Sequence, residues 1–174
     1  MNDAALKPTP NACSLPRRFS DFATFPEALE YAARGERGLN FHDPRGNLTR
    51  VYPFAELQGD AQTAAYRLVA DGVRKGDRIA LVAQTGPEFA ALFCGAILAG
   101  ALPVPLPLPT SFGGKDGYID QLAVQLQSCD PTVLLFPAEI GAMAQAAAAK
   151  QGHYFFKACE YSVFPCKNFS GNRG

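Results

Sequence analysis

The first candidate for chemistry in this sequence is the loop Thr110-Ser111-Phe112-Gly113-Gly114-Lys115, which combines hydroxyls, glycines and a lysine. Glycine-rich loops bind phosphate through their backbone N–H groups, and a lysine adds a positive charge. A P-loop, however, needs glycine where Pro109 stands and serine or threonine where Asp116 stands. The pattern therefore favours a connecting loop. Because the loop follows a predicted parallel strand, a substrate-channel role stays open for Thr110, Ser111, Gly113 and Gly114.

The remaining polar residues have simpler structural explanations. His42 lies beside Asp43 on a predicted strand, without an identifiable nucleophile or second metal ligand, and is interpreted as a surface histidine. Glu27 and Glu88 occupy helix-start positions, and Asp77 lies in a turn before a strand. The sequence therefore predicts no catalytic, cofactor-binding or metal-binding residue.

The cysteines indicate a reducing compartment. Their number is odd and their spacings match no zinc or redox motif; they are Cys13, Cys94, Cys129, Cys159 and Cys166. Buried small hydrophobic residues are the simplest interpretation. We therefore expect a cytoplasmic protein.

Composition excludes several partners. The 174 residues are 48% hydrophobic and 18% charged, which is typical of a globular domain. Sixteen basic and sixteen acidic residues give zero formal net charge, so neither nucleic acid nor an anionic membrane is expected to bind. The uncharged run from Phe89 to Pro109 contains four prolines from Pro103 onward and leaves too few helical residues for a membrane span.

A β-α-β unit is predicted at the centre of the chain. Residues 78–83 form an apolar run that predicts a buried strand, and residues 101–104 start a second one. Between them, Thr85 and Glu88 are expected to cap a helix that is apolar on every side. Small residues at every fourth position, Ala91, Gly95 and Ala99, predict a face that another backbone can approach closely.

Further elements extend this unit to a doubly wound parallel sheet preceded by a β-hairpin, an α/β fold. Apolar periodicity and turn residues predict a helix over 25–34, a hairpin over 39–52, helices over 54–70, 118–129 and 137–150, and a strand over 132–136.

Both ends of the chain differ from this pattern. Residues 1–22 are polar and contain several prolines, so we expect a flexible lead-in, followed by a domain over residues 23–150. Residues 151–174 contain neither Leu nor Ile and no clear period. We expect this tail to lie outside the fold, as the product of a frameshift or misplaced gene end; a natural binding tail is the alternative.

The segment GDRIALVAQTGPEFAALFCGAILAGALPVPL resembles the early part of the acyl-adenylate-forming (AMP-dependent synthetase/ligase) superfamily. The proline run from Pro103 to Pro109 is similar to that of its fatty-acyl-AMP ligase branch. The resemblance covers about residues 24–150 and implies the N-terminal part of the family's large domain.

The resemblance also implies an activity for the intact relative. Such an enzyme activates a fatty acid with ATP and Mg²⁺ and passes the acyl group to an acyl carrier protein or to coenzyme A. The family's phosphate loop, adenine-binding segment, ribose-binding Asp and terminal-domain Lys have no counterpart in this sequence. An inactive N-terminal fragment is therefore expected. The alternative is a non-catalytic α/β interaction module that docks a partner on Ala91, Gly95 and Ala99.

Overall fold

A computed structural model describes residues 15–19, 21–109, 114–150 and 157–161. In chain order, the helices and strands are α1 Phe25–Ala33, β1 Gly38–His42, β2 Leu48–Pro53, α2 Phe54–Ala70, β3 Arg78–Val82, α3 Pro87–Leu98, β4 Leu102–Leu106, α4 Gly114–Cys129, β5 Val133–Phe136, α5 Gly141–Ala149 and β6 Lys157–Glu160. Within this part of the chain, no helix is long and apolar enough to span a membrane.

Two sheets organise these elements. β1 and β2 pair antiparallel, as the predicted hairpin requires, while the larger sheet has the order β4-β3-β5-β6 with parallel pairing throughout. Helices α2 and α3 pack on one face of the parallel sheet, and α4 and α5 pack on the other. The structure therefore confirms the predicted α/β fold, a hairpin followed by a partial doubly wound sheet.

Strand β3 is the centre of the parallel sheet because it pairs with β4 on one side and β5 on the other. Its side chains alternate between the two faces, as strand geometry dictates. Ile79 and Leu81 contact the cluster under α2 and α3, whereas Ala80 and Val82 contact the cluster under α4 and α5. All four side chains are fully buried, which explains why the sequence of this strand is a continuous apolar run.

Helices α2 and α3 approach each other closely at Gly95. A Cβ atom on Gly95 would lie 2.7 Å from the Cβ of Ala64 and 2.9 Å from the carbonyl oxygen of Ala61. Only a glycine leaves room for these α2 atoms. The predicted close approach is confirmed, but the partner is a helix of the same chain. The hypothesis that Ala91, Gly95 and Ala99 form a docking face for another protein is therefore wrong. Ala91 and Gly95 are buried, and the partly buried Ala99 packs against the cluster under α2 and α3.

The hairpin is anchored to α2 by a buried hydrogen bond. Tyr52 in β2 has no exposed surface, and its hydroxyl donates to Asp60 Oδ2 at 2.8 Å. Asp60 is itself buried in α2. Because a buried carboxylate needs polar partners, this contact fixes the hairpin against the helix that follows it directly in sequence.

Three helix starts differ from the sequence expectation. Gly86 caps α3, and neither Thr85 nor Glu88 forms the predicted side-chain capping pair. Helix α4 begins at Gly114 instead of residue 118. The predicted helix over 137–150 divides into a 3-10 turn at Ala138–Ile140 followed by α5.

The tail contributes a strand that the sequence did not indicate. Lys157–Glu160 pairs in parallel with β5, and the buried Cys159 joins the cluster under α3. The next residue, Tyr161, is also buried and donates its hydroxyl to the carbonyl oxygen of Val82. Residues 157–160 therefore belong to the sheet, in contrast to the expectation that the tail lies outside the fold. A four-residue strand between polar residues carries too little apolar pattern to be recognised. Residues 151–156 and 162–174 lie outside the described part of the chain.

The lead-in also makes specific contacts. Arg18 pairs with Asp21 at 2.8 Å, and its guanidinium carbon lies 4.0 Å from the centre of the Phe22 ring. The hydroxyl of Tyr31 in α1 donates to the carbonyl oxygen of Pro16. Residues 15–19 and 21–22 therefore pack along α1, in contrast to the flexible segment expected there, while residues 1–14 and Ser20 lie outside the described residues.

Replacing Gly95 by alanine is expected to destabilise the fold by about 1–3 kcal/mol, because the new methyl group overlaps α2. Gly59→Ala is the matched control, since Gly59 is also inside a helix but nothing lies within 4 Å of its added Cβ. Helix propensity predicts that this control stabilises the protein by about 1 kcal/mol. Urea denaturation measures both, and equal effects would contradict the close α2–α3 contact.

Removing the Tyr161 hydroxyl tests whether the last strand belongs to the fold. Tyr161→Phe is expected to lower the free energy of unfolding by about 1 kcal/mol, because the hydrogen bond to Val82 is lost. Tyr66→Phe, at a side chain that is 76% exposed, is the control and should have no effect. Unchanged thermal unfolding of Tyr161→Phe would show that Tyr161 does not contact the sheet.

Candidate functional site

The carboxyl end of the parallel sheet contains the topological switch point. From β3 the chain moves through α3 to β4, whereas from β5 it moves in the opposite direction through α5 to β6. The crevice between the ends of β3 and β5 is where open α/β sheets bind their ligands. The switch-point crevice is defined here by the segments 83–88, 137–140 and Tyr161.

Glu88 lies in the first turn of α3 beside this crevice and is about half-buried. Its carboxylate folds back so that Oε2 lies 3.1 Å from the position of a Cβ on Gly86. Burial is the main cause that raises the pKa of Glu88 above its usual range, and the negative charge of Glu139 raises it further. Two acidic side chains, one after each of the central strands, therefore lie near each other at the switch-point crevice.

Tyr161 covers the same crevice from the side of β6. Because β5 lies between β6 and β3, the Tyr161 side chain must cross the end of β5 to reach Val82. Burial raises the pKa of Tyr161 strongly, and the nearby Glu88 carboxylate adds to this effect. On the other face, Tyr118 in α4 donates its hydroxyl to the carbonyl oxygen of Pro107 at 3.0 Å, and burial raises its pKa.

The acidic side chains of Glu88 and Glu139 do not favour the phosphates of a nucleoside triphosphate at this crevice. A phosphate group brought between Glu88 and Glu139 would add negative charge beside two acidic side chains, where burial already disfavours the charged form of Glu88. Carboxylates can ligate Mg²⁺, but the described residues contain no group of three acidic, histidine or cysteine side chains that could hold a metal. Glu88 and Glu139 therefore do not form a three-ligand Mg²⁺ site with any other acidic, histidine or cysteine side chain among the described residues.

Of the loop singled out from the sequence, the structure describes only Gly114 and Lys115. Thr110, Ser111 and Gly113 are outside the described residues, whereas Gly114 begins α4 with a φ of 63°, a conformation that favours glycine. His42 lies in β1 of the other sheet and is exposed. The structure therefore does not bring His42 to the switch-point crevice.

An apolar pocket of about 420 Å³ forms a second concave feature, away from the parallel strand ends. Helices α1, α2 and α3 and strand β1 surround it, and every lining residue is apolar or a cysteine: Phe25, Ala28, Leu29, Ala32, Leu39, Phe54, Leu57, Phe89, Ala90, Phe93 and Cys94. Burial raises the pKa of the Cys94 thiol to about 11, so the thiol stays protonated and unreactive at neutral pH. The pocket supplies no group that could act as an acid, base or nucleophile.

Comparison with known proteins places this architecture in a family. The AMP-binding enzyme family matches residues 36–160. A Caulobacter vibrioides protein named as an acyl-CoA synthetase is 40% identical over 153 residues, which cover 84% of this chain and 27% of that protein. The long-chain-fatty-acid–AMP ligase FadD32 of Mycolicibacterium smegmatis is 28% identical over 59% of this chain and 16% of its own length.

Solved structures agree with the sequence relatives. A fatty acyl-adenylate ligase from a study of the Escherichia coli and Legionella pneumophila enzymes superposes with a TM-score of 0.80 and 32% identity, covering 91% of this chain. The chain belongs to the AMP-binding enzyme family, and its fold corresponds to the N-terminal part of an adenylate-forming enzyme. It spans under a third of the length of these relatives, 27% of the Caulobacter protein and 29% of the solved ligase.

Glu88→Gln is expected to stabilise the protein at neutral pH. A carboxyl group whose pKa is raised in the folded state stabilises the fold at low pH, below its unfolded pKa, and this stability is lost as pH rises through the folded pKa. Glutamine cannot ionise, so the variant does not lose this stability as the pH rises. The gain at pH 7 is under about 1 kcal/mol, because water screens a half-buried group and the helix N-terminus favours the charge.

The measurement is the unfolding free energy from pH 3 to pH 8, with the exposed Glu36→Gln as the control. Glu88→Gln and the wild type should coincide near pH 3 and separate as the pH increases. A variant that is less stable than the wild type at pH 7 would mean that the charged Glu88 is favourable in the fold.

Proposed function

We propose that this chain is the N-terminal part of the large domain of a fatty-acyl-AMP ligase. The intact enzyme would use ATP and Mg²⁺ to activate a fatty acid as an acyl-adenylate and transfer it to an acyl carrier protein. The observation that supports this proposal is the 0.80 TM-score to a fatty acyl-adenylate ligase over 91% of the chain. The fatty-acid ligase FadD32 among the sequence relatives supports the same substrate class.

Within that enzyme, this chain would supply one parallel sheet and one wall of the substrate channel. The loop Thr110 to Gly114 follows β4 in sequence, and we propose that it lines the channel, since ligands of open α/β sheets bind beyond the carboxyl ends of the strands. The phosphate-binding and cationic groups that stabilise charge at the α-phosphate would come from the region that this chain does not contain. The free thiols of Cys94, Cys129 and Cys159 are compatible with a reducing cytoplasm.

The isolated chain is expected to be catalytically inactive. No acyl-dependent exchange of pyrophosphate into ATP should be detected with fatty acids of several lengths, because the family's phosphate loop has no counterpart in this sequence. Calorimetric titration with Mg·ATP should show no binding at millimolar concentrations.

The full-length Caulobacter relative, assayed in parallel, tests the family activity separately. Pyrophosphate exchange by the relative, without exchange by this chain, would support both the proposed function and the inactivity of this chain. Exchange by this chain alone would contradict its inactivity, and a relative that rejects every fatty acid would contradict the proposed substrate class.

A further inference from the structure

The outer edge of β4 has an unusual backbone. In a parallel strand, alternate residues direct their N–H and C=O groups towards a given neighbour. The N–H of Leu102 donates to the Asp77 carbonyl oxygen at 2.7 Å, and the carbonyl oxygen of Leu106 accepts from the Ala83 N–H, also at 2.7 Å. Residues 102, 104 and 106 therefore bond to β3.

It follows that residues 103 and 105 direct their backbone away from β3, and both are proline. Proline carries no backbone N–H. The outer edge of β4 therefore presents carbonyl oxygens but no hydrogen-bond donor along the whole strand. Val104 lies between the two prolines and keeps its donor on the inner side, so pairing with β3 continues unbroken over five residue pairs.

The alternation of proline with other residues thus matches the alternation of the strand. A shift of one residue would place the prolines against β3 and remove the inner hydrogen bonds, which would be incompatible with a parallel sheet. An edge strand with free donors and acceptors is a template for another strand, and proline is one of the devices that prevents such pairing.

We propose that Pro103 and Pro105 close this edge of the sheet against strand addition by a second copy of the chain. An incoming strand needs both donors and acceptors in register, and β4 offers it only acceptors. The β4 end of the sheet is therefore a built-in terminus, and the order of strands cannot be extended beyond it.

The test restores the missing donors with Pro103→Thr and Pro105→Thr together. Threonine favours strands and is no more apolar than proline, so added hydrophobicity does not explain an increase in association. Pro44→Thr, in the exposed hairpin turn, is the control. Analytical ultracentrifugation measures self-association, and amide hydrogen exchange of β3 reports that the variant remains folded.

The double variant is expected to associate at least tenfold more tightly than the wild type or the control, with slow exchange of the two new amide protons. The two single variants, which are milder changes, should give intermediate association. The proposal would be overturned by a folded variant, double or single, that associates no more tightly than the wild type. In such a variant the new amides would exchange as fast as exposed ones.

Discussion

The contact between α2 and α3 at Gly95 is the constraint on which the arrangement of this molecule depends. Because the two helices approach so closely there, α3 can reach the sheet with Leu92 and Ala96 while its opposite side contacts Ala61 and Ala64 of α2. A bulkier residue at this position would push α2 and α3 apart. Tyr52 and Asp60 then hold the hairpin against α2, so the hairpin and the sheet share one helical layer.

The switch-point crevice lies at the opposite end of the sheet from the ion pair between Arg78 and Asp130. Arg78 and Asp130 pair at 2.8 Å at the amino-terminal ends of the strands, and their role is to join the beginning of β3 to the turn before β5. The carboxyl ends instead bring together Glu88, Glu139 and Tyr161. Under the proposed function, these three residues would form part of a wall of the substrate site.

Much of the fold could be predicted from sequence because its determinants are local. The structure confirms the apolar run of β3 and the hairpin turn. It also confirms the helix-start position of Glu27, whose N–H donates a hydrogen bond to the Thr24 hydroxyl. Gly95 was recognisable as a packing position, but its partner was not, because a small-residue stripe does not specify which backbone covers it.

The site was harder to predict. Glu88 has a sequence position typical of a helix cap, and only the three-dimensional placement of Glu139 reveals their interaction. Asp60 lies on the apolar face of α2, where its burial depends on a tyrosine from the hairpin. Strand β6 and Tyr161 depend on pairing with β5, a non-local contact that a four-residue segment cannot encode by pattern alone.

The central claim is that residues 157–161 complete a four-stranded parallel sheet around β3. Site-resolved amide hydrogen exchange of the purified chain tests it most directly, since protection reports both hydrogen bonding and cooperative unfolding. The amides of Ile79 to Val82 are expected to exchange only through global unfolding. The amides of β6 are expected to lose their protection together with those of β5. Exchange of every amide from 157 to 161 at the rate of an unstructured peptide, with β3 still protected, would contradict it.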